Sequence, residues 1–190
     1  MPANPRREHD VVDLLQAVVD TLPNVEARSG QVTMATAIAD AIDNERHLIV
    51  QAGTGTGKTL GYLVPAIASG KRIVVSTYTK ALQDQLAKHD LPVLSSALAP
   101  IIGRDISWAV LKGRNNYLCA QRITETREPK QHKLDLQEMS AQVKSDIDKL
   151  VAWSEATSTG DSGDLSWSPR DAAWRHVSIG SDECPGASRC

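Results

Sequence analysis

The residues best placed to do chemistry lie in one stretch, Gln51-Ala52-Gly53-Thr54-Gly55-Thr56-Gly57-Lys58-Thr59, between the apolar run Leu48-Ile49-Val50 and the segment Leu60-Gly61-Tyr62-Leu63-Val64. Gly53, Gly55 and Gly57 allow backbone N–H groups to turn inward around a phosphate chain, because glycine accepts the backbone angles such a nest requires. Lys58 adds a cation. A helix starting near Gly57 would direct its positive end to the same point, and the Thr59 hydroxyl would reach a Mg²⁺ carried by the nucleotide. The pattern G-x-x-x-x-G-K-[ST] is met except that Ala52 fills the first glycine position. The expected ligand is a nucleoside triphosphate. The plainer reading is a glycine-rich turn with a solvated lysine.

The elements around this stretch follow from periodicity. Asp10 can cap a helix over Val11 to Leu22, with Val11, Leu14, Leu15, Val18, Val19 and Leu22 on one face and Pro23 ending it. Gln31 to Ile42 is a second, alanine-rich helix. His47 to Gln51 reads as a strand before the phosphate loop, and the helix after the loop runs to about Ser69, with Gly70 as its stop. Ile73-Val74-Val75 reads as a second buried strand, Thr79 to His89 as an amphipathic helix, Leu91 to Gly103 as looser chain, and Ile106 to Leu111 as a third strand. Strand followed by helix, twice, predicts an α/β fold with parallel strands joined by right-handed crossovers. From Cys119 the composition changes: Lys133 to Trp153 is charged and helical in period, and Glu155 to Pro169 is loop-like.

Length and charge set limits. The 190 residues suffice for one domain with a core plus a small insertion. With 41% hydrophobic and 23% charged residues and a net charge of −2, the chain reads as an ordinary globular protein, so any nucleic-acid surface must be local. One candidate is Arg104 to Lys133, where seven basic residues (Arg104, Lys112, Arg114, Arg122, Arg127, Lys130, Lys133) face three acidic ones (Asp105, Glu125, Glu128). The N-terminus does not read as a signal peptide and no apolar run is long enough to span a bilayer, which predicts a cytoplasmic protein without a membrane partner. An odd number of cysteines, Cys119, Cys184 and Cys190, argues against a disulfide framework. Cys184 and Cys190, flanking Pro185 and Gly186, could fold around a metal centre with Cys119. Zinc held by these thiols and His176 or His132 is one alternative, and three unrelated thiols are another.

The motifs together resemble a known family. Gln51 to Thr59 looks like motif I of superfamily 2 helicases, where alanine often fills the first position, and Val75 to Leu86 resembles their motif Ia, V-S-T-x-T-x-x-L-Q-x-Q-L. Within the superfamily the chain is similar to the DinG branch, relatives of the XPD helicases. Arg28-Ser29-Gly30-Gln31 matches an R-x-x-Q element, Lys112 to Cys119 matches K-G-R-x-N-Y-x-C, and Glu183 to Cys190 resembles the stretch carrying two further cysteines. The resemblance implies a RecA-like P-loop domain over residues 1–118, interrupted by a partial, mostly helical iron–sulfur insertion over 119–190.

It also implies roles. ATP and Mg²⁺ would be held by Arg28, Gln31, Ala52, Gly53, Thr54, Gly55, Thr56, Gly57, Lys58 and Thr59, with Lys58 and Thr59 at the reacting phosphates and Gln31 on adenine. Single-stranded DNA would lie on Thr77, Thr79, Gln85, Arg114 and neighbouring basic residues. Cys119, Cys184 and Cys190 would ligate a [4Fe–4S] cluster whose fourth ligand is not in this chain. The family's D-E-A-H element and second motor domain are absent from the 190 residues, which leads us to expect the N-terminal part of a monomeric ATP-dependent DNA helicase working 5′ to 3′. The alternatives are a product that binds nucleotide or DNA without hydrolysis, and another P-loop NTPase.

Overall fold

The computed structural model describes residues 9–23, 28–53, 55–128 and 139–186. Thr54, Lys130, His132, Lys133 and Cys190 lie outside the described residues. The chain forms two compact units, Met1–Val110 and Leu111–Cys190.

In the first unit, Asp10 caps α1 (Val11–Asp20) by accepting the Val12 N–H at 2.8 Å, and the predicted stripe Val11, Leu14, Leu15, Val18 and Val19 is buried. α2 (Ser29–Asp43) turns Ala35 and Ala39 to the same core. α3 (Lys58–Ala68) adds Leu63 and Val64. A Cβ on Gly61 of α3 would stand 3.1 Å from Met34 Sδ of α2, so this glycine lets the two helices pack one turn beyond the phosphate loop. α4 (Lys80–Gln85) passes through a π-helical turn, Leu86–Asp90, directly into α5 (Leu91–Ile102). Leu86, Leu94 and Leu98 complete the core against α1, each buried leucine contributing about 1.5–3 kcal/mol relative to exposure.

Two expectations are corrected here. Leu91 to Gly103 is not loose chain but a helix ended by Gly103 at φ 65°, and the helix expected over Thr79 to His89 changes to π winding at Leu86. Pro92 follows the π turn without a break in helical winding, so its missing N–H leaves a carbonyl of the preceding turn without that helical donor, and the Ala87 carbonyl accepts Trp108 Nε1 at 3.2 Å instead.

The three predicted strands carry neither helix nor ladder. Among the described residues β pairing is confined to isolated bridges, Tyr117 with Asp161 and Leu118 with Ser178. Within the first two of these runs, Ile49 is 97% exposed between Leu48 (43%) and Val50 (41%), and Val74 is 89% exposed between Ile73 (40%) and Val75 (41%). Apolar residues pointing both ways are what a strand covered on both faces carries. Beyond those two bridges no β pairing is present among the described residues.

In the second unit a 3₁₀ turn (Arg114–Asn116) precedes α6 (Ala120–Arg127), α7 (Ala141–Trp153), a second 3₁₀ turn (Ser162–Asp164) and α8 (Asp171–Val177). Within the stretch read from sequence as loop-like, Glu155 to Pro169, the one helical piece is the second 3₁₀ turn, and α8 begins just beyond it. Ile123, Val143, Ile147, Leu150, Ala173 and Val177 form the core, with Trp153, Trp167 and Trp174 packed against it. Asp146 on α7 fixes the approach to α8: its Oδ2 accepts both the Arg170 backbone N–H (3.1 Å) and the guanidinium (2.7 Å). These bonds, the backbone one foremost, hold the Asp146 carboxyl below the usual carboxylate range, against the opposing pull of burial.

A carboxylate with a depressed folded-state pKa stabilises fully above its unfolded value of about 3.9 and loses that contribution as pH falls through the folded value. Urea unfolding followed by tryptophan fluorescence should show Asp146→Asn less stable than the parent at neutral pH, with the gap closing as pH falls below about 4. A gap that stays constant as pH falls well below that value would remove the carboxylate from this role. No described helix is long and apolar enough to cross a membrane.

Candidate functional site

Two of the three loop glycines take backbone angles that favour their type. Gly55 and Gly57 adopt φ of 74° and 75°, the left-handed region, and Gly57 hands the chain into α3. Thr56 Oγ1 donates to the Gly53 carbonyl at 3.0 Å, tightening the bend. Lys58, half-buried in the first turn of α3, reaches back so that Nζ donates to the carbonyl oxygens of Ala52 (3.1 Å) and Gly53 (2.6 Å). Its cation therefore sits inside the bend, bonded to neutral acceptors. A phosphate chain offers it an anionic acceptor, and charge-assisted bonds of that kind are about twice as strong as neutral ones.

The residues singled out ahead of the loop converge on it. Arg28 donates from its guanidinium to the Gly55 carbonyl. Gln31 is buried, 4% exposed, and its Nε2 donates to the Gly57 carbonyl at 3.0 Å. A Cβ on Gly57 would lie 2.4 Å from that nitrogen, so the glutamine amide occupies the space that glycine leaves open. Gln31 thus braces the loop from the α2 side. Thr59 is bonded through its hydroxyl to Tyr62 one turn on in α3, and burial pushes the Tyr62 phenol up, partly offset by that bond and reinforced by the nearby charge of Asp90.

The residues expected to meet DNA are engaged locally. Thr77 Oγ1 donates to the Thr79 carbonyl at 3.2 Å, and Thr79 Oγ1 accepts the Leu82 N–H at 3.2 Å as the cap of α4. Gln85 Nε2 lies 3.5 Å from Asp90 Oδ2 across the π turn. Between the threonines, Tyr78 is wholly exposed, a feature the motif spacing did not single out.

In the second unit the Lys112 to Tyr117 turn is pinned throughout. Lys112 Nζ stands 2.8 Å from Asp161 Oδ2 with side-chain exposures of 4% and 13%. Lys112 N donates to the Tyr117 hydroxyl at 2.9 Å, Asn116 Nδ2 to the Gly113 carbonyl at 3.0 Å, and Trp174 Nε1 to the Asn115 carbonyl at 2.8 Å. Arg114 stays exposed at the tip. This corrects one expectation: Lys112, counted with the basic residues that would line a DNA path, is buried in an ion pair and faces no solvent.

The bridge from Leu118 to Ser178 and the Cys119 N–H to Val177 carbonyl bond of 2.8 Å lay the Cys119 segment against the end of α8. Arg122 pairs with Glu183, the neighbour of Cys184, at 3.4 Å. Cys119 and Cys184 are free and half-buried. Among the described residues no group of three or more Cys, His, Asp or Glu is placed to hold a metal ion. The chain's three cysteines, of which Cys190 lies outside the described residues, are by themselves one short of the four thiolates a [4Fe–4S] cluster takes.

Residues 33–116 match the family described as DEAD/DEAH box helicase. Over 95% of its length the chain is 41% identical to the ATP-dependent helicase DinG of Mycobacterium tuberculosis, covering 29% of that protein. It is 41% identical over 87% of its length to the ATP-dependent DNA helicase YoaA of Escherichia coli, covering 25%, and 33% identical over 79% to the 3′-5′ exonuclease DinG of Bacillus subtilis, covering 15%. The chain spans less than a third of the length of these relatives. A left-handed glycine loop carrying a lysine at a helix start lies within the segment 33–116 that belongs to the DEAD/DEAH box helicase family and brings with it the P-loop NTPase fold, and the chain is related along nearly all its length to a like-sized part of DinG-type proteins.

Proposed function

We propose that this chain is the ATP-binding portion of a DNA helicase that couples ATP hydrolysis to movement along single-stranded DNA, 5′ to 3′. The observation that carries the reading is the convergence of Arg28, Gln31 and Lys58 on the carbonyls of a loop whose glycines sit at the head of α3. Lys58 would exchange the Ala52 and Gly53 carbonyls for the β- and γ-phosphates, the Gly53 to Gly57 amides would wrap the phosphate chain, and Thr59 would turn from Tyr62 to a Mg²⁺ ligand. Gln31, already fixed beside the loop, would present its remaining amide capacity to adenine. Thr77, Thr79 and Gln85, with Arg114, would meet the DNA backbone.

Residues 1–118 would make up the nucleotide-binding domain, with the three predicted strands as its parallel strands, and 119–190 the insertion. Cys119, Cys184 and Cys190 would supply three thiolates to an iron–sulfur cluster completed by a ligand from elsewhere. The protein would act as a monomer in the cytoplasm.

Titration of the 190-residue chain with a fluorescent ATP analogue and Mg²⁺ tests the nucleotide site. Lys58→Ala should weaken binding at least tenfold, and equal binding by parent and variant would sink the assignment. The same preparation, reconstituted with iron and sulfide, separates catalysis from binding alone. DNA-stimulated ATP hydrolysis that Lys58→Ala abolishes supports the enzyme, whereas tight binding without turnover leaves a nucleotide-binding product.

A further inference from the structure

Tyr78 is 101% exposed, more than any other large apolar or aromatic side chain among the described residues. Ile49 and Val74, the next most exposed, lie inside the predicted strands, where elements packed on the faces of a sheet would cover them. Tyr78 lies beyond the end of such a segment, in the short connection to α4, where strand pairing would not reach it. The backbone carrying it is fixed on both sides. The Thr77 hydroxyl donates to the Thr79 carbonyl at 3.2 Å and closes a turn with Tyr78 at its tip, while Thr79 Oγ1 accepts the Leu82 N–H at 3.2 Å and ties the turn to α4. A large ring is thus displayed on a pinned backbone and buries nothing of its own. An apolar face so held pays little ordering entropy when a flat partner covers it.

The groups beside the ring indicate the partner. Thr79 Oγ1 uses an oxygen lone pair for the Leu82 N–H, which leaves its hydroxyl hydrogen to donate outward. Lys80, the next residue, is exposed and adds a cation. Thr77 differs, because its hydroxyl hydrogen is already directed to the Thr79 carbonyl. A donor and a cation within two residues of an exposed aromatic face suit a chain of alternating phosphates and flat bases.

We infer that Tyr78 is a stacking platform for one base of a single-stranded nucleic acid whose adjoining phosphate is met by the Thr79 hydroxyl and Lys80. The inference rests on the DNA-binding reading above and goes beyond it, since backbone contacts alone do not touch base faces. Stacking of this kind tolerates any base, because every base has a π face.

The 190-residue chain is titrated at low salt onto a fluorescently labelled oligothymidylate and onto an equally long strand whose sugars carry no bases. Tyr78→Ala should weaken binding to the oligothymidylate about tenfold and leave the abasic strand unaffected, and Tyr78→Trp should bind both as the parent does. The slope of log affinity against log salt should not change, since no phosphate contact is lost. Because the side chain is fully exposed, the thermal unfolding of Tyr78→Ala should match the parent. Equal affinity of Tyr78→Ala and parent for oligothymidylate overturns the stacking role, as does an equal loss on the abasic strand. Failure of the parent chain to bind either strand overturns the DNA reading itself, and the stacking role with it.

Discussion

Lys112→Met should destabilise the second unit by roughly 3–5 kcal/mol, the range for removing one partner of a buried ion pair. The cause is the charge left behind. Asp161, its side chain 13% exposed, faces Lys112 Nζ at 2.8 Å, and without that cation it keeps the Gly163 N–H (2.8 Å to Oδ1) among its donors but has lost its buried countercharge. A Cβ on Gly163 would lie 2.8 Å from Lys112 Nζ, so the second 3₁₀ turn is built to admit the ammonium. Replacing both partners, as Lys112→Met with Asp161→Leu, should recover most of the loss, because it removes the buried charges together. Urea unfolding read by tryptophan fluorescence reports on this unit through Trp153, Trp167 and Trp174, which pack on its core. A single variant within about 1 kcal/mol of the parent would show that water reaches the pair and screens it.

This pair also marks where the sequence stops being informative. A lysine beside Gly113 and Arg114 in a basic stretch reads as a surface cation, because its type and neighbours carry no trace of an aspartate far along the chain. The fold brings the two together through the Tyr117–Asp161 bridge, a non-local pairing with no periodic signature. The phosphate loop is the opposite case. Its glycines, lysine and following apolar run are contiguous, so the chemistry and the geometry share one stretch, and Gly55 and Gly57 take the left-handed angles that their type allows.

Between these cases lies α5. Leu94 and Leu98 are four apart and both fully buried, a helical signal, but Pro92, Pro100 and the small residues between them conceal it. The strand segments are a different case. Their apolar and β-branched runs are recognisable, but a ladder depends on what lies beside them, which no local pattern supplies.

Gly57→Ala should damage the candidate nucleotide site and the first unit together. Two terms act at one atom. An L-residue at φ 75° costs about 1–2 kcal/mol in the left-handed region. Its Cβ would also stand 2.4 Å from Gln31 Nε2, forcing the buried amide away from the Gly57 carbonyl and leaving a polar group without that bond at about 1–3 kcal/mol. Allowing for partial relaxation, the total should be about 2–4 kcal/mol, with affinity for an ATP analogue reduced at least tenfold.

The terms separate in a cycle. Gln31→Ala alone loses the brace but keeps the glycine, and Gln31→Ala with Gly57→Ala removes the collision while retaining the backbone strain. The double variant should therefore be more stable than the sum of the single losses predicts, by about 1–2 kcal/mol, the scale of coupling between residues in contact. Strict additivity would mean that Gln31 swings aside freely and does not brace the loop. Coupling in stability with no effect on nucleotide affinity would separate the brace from the site. If both change, the buried glutamine of α2 and the phosphate loop ahead of α3 act as one device, in which the same amide that holds the loop open to phosphate excludes every residue but glycine from its last position.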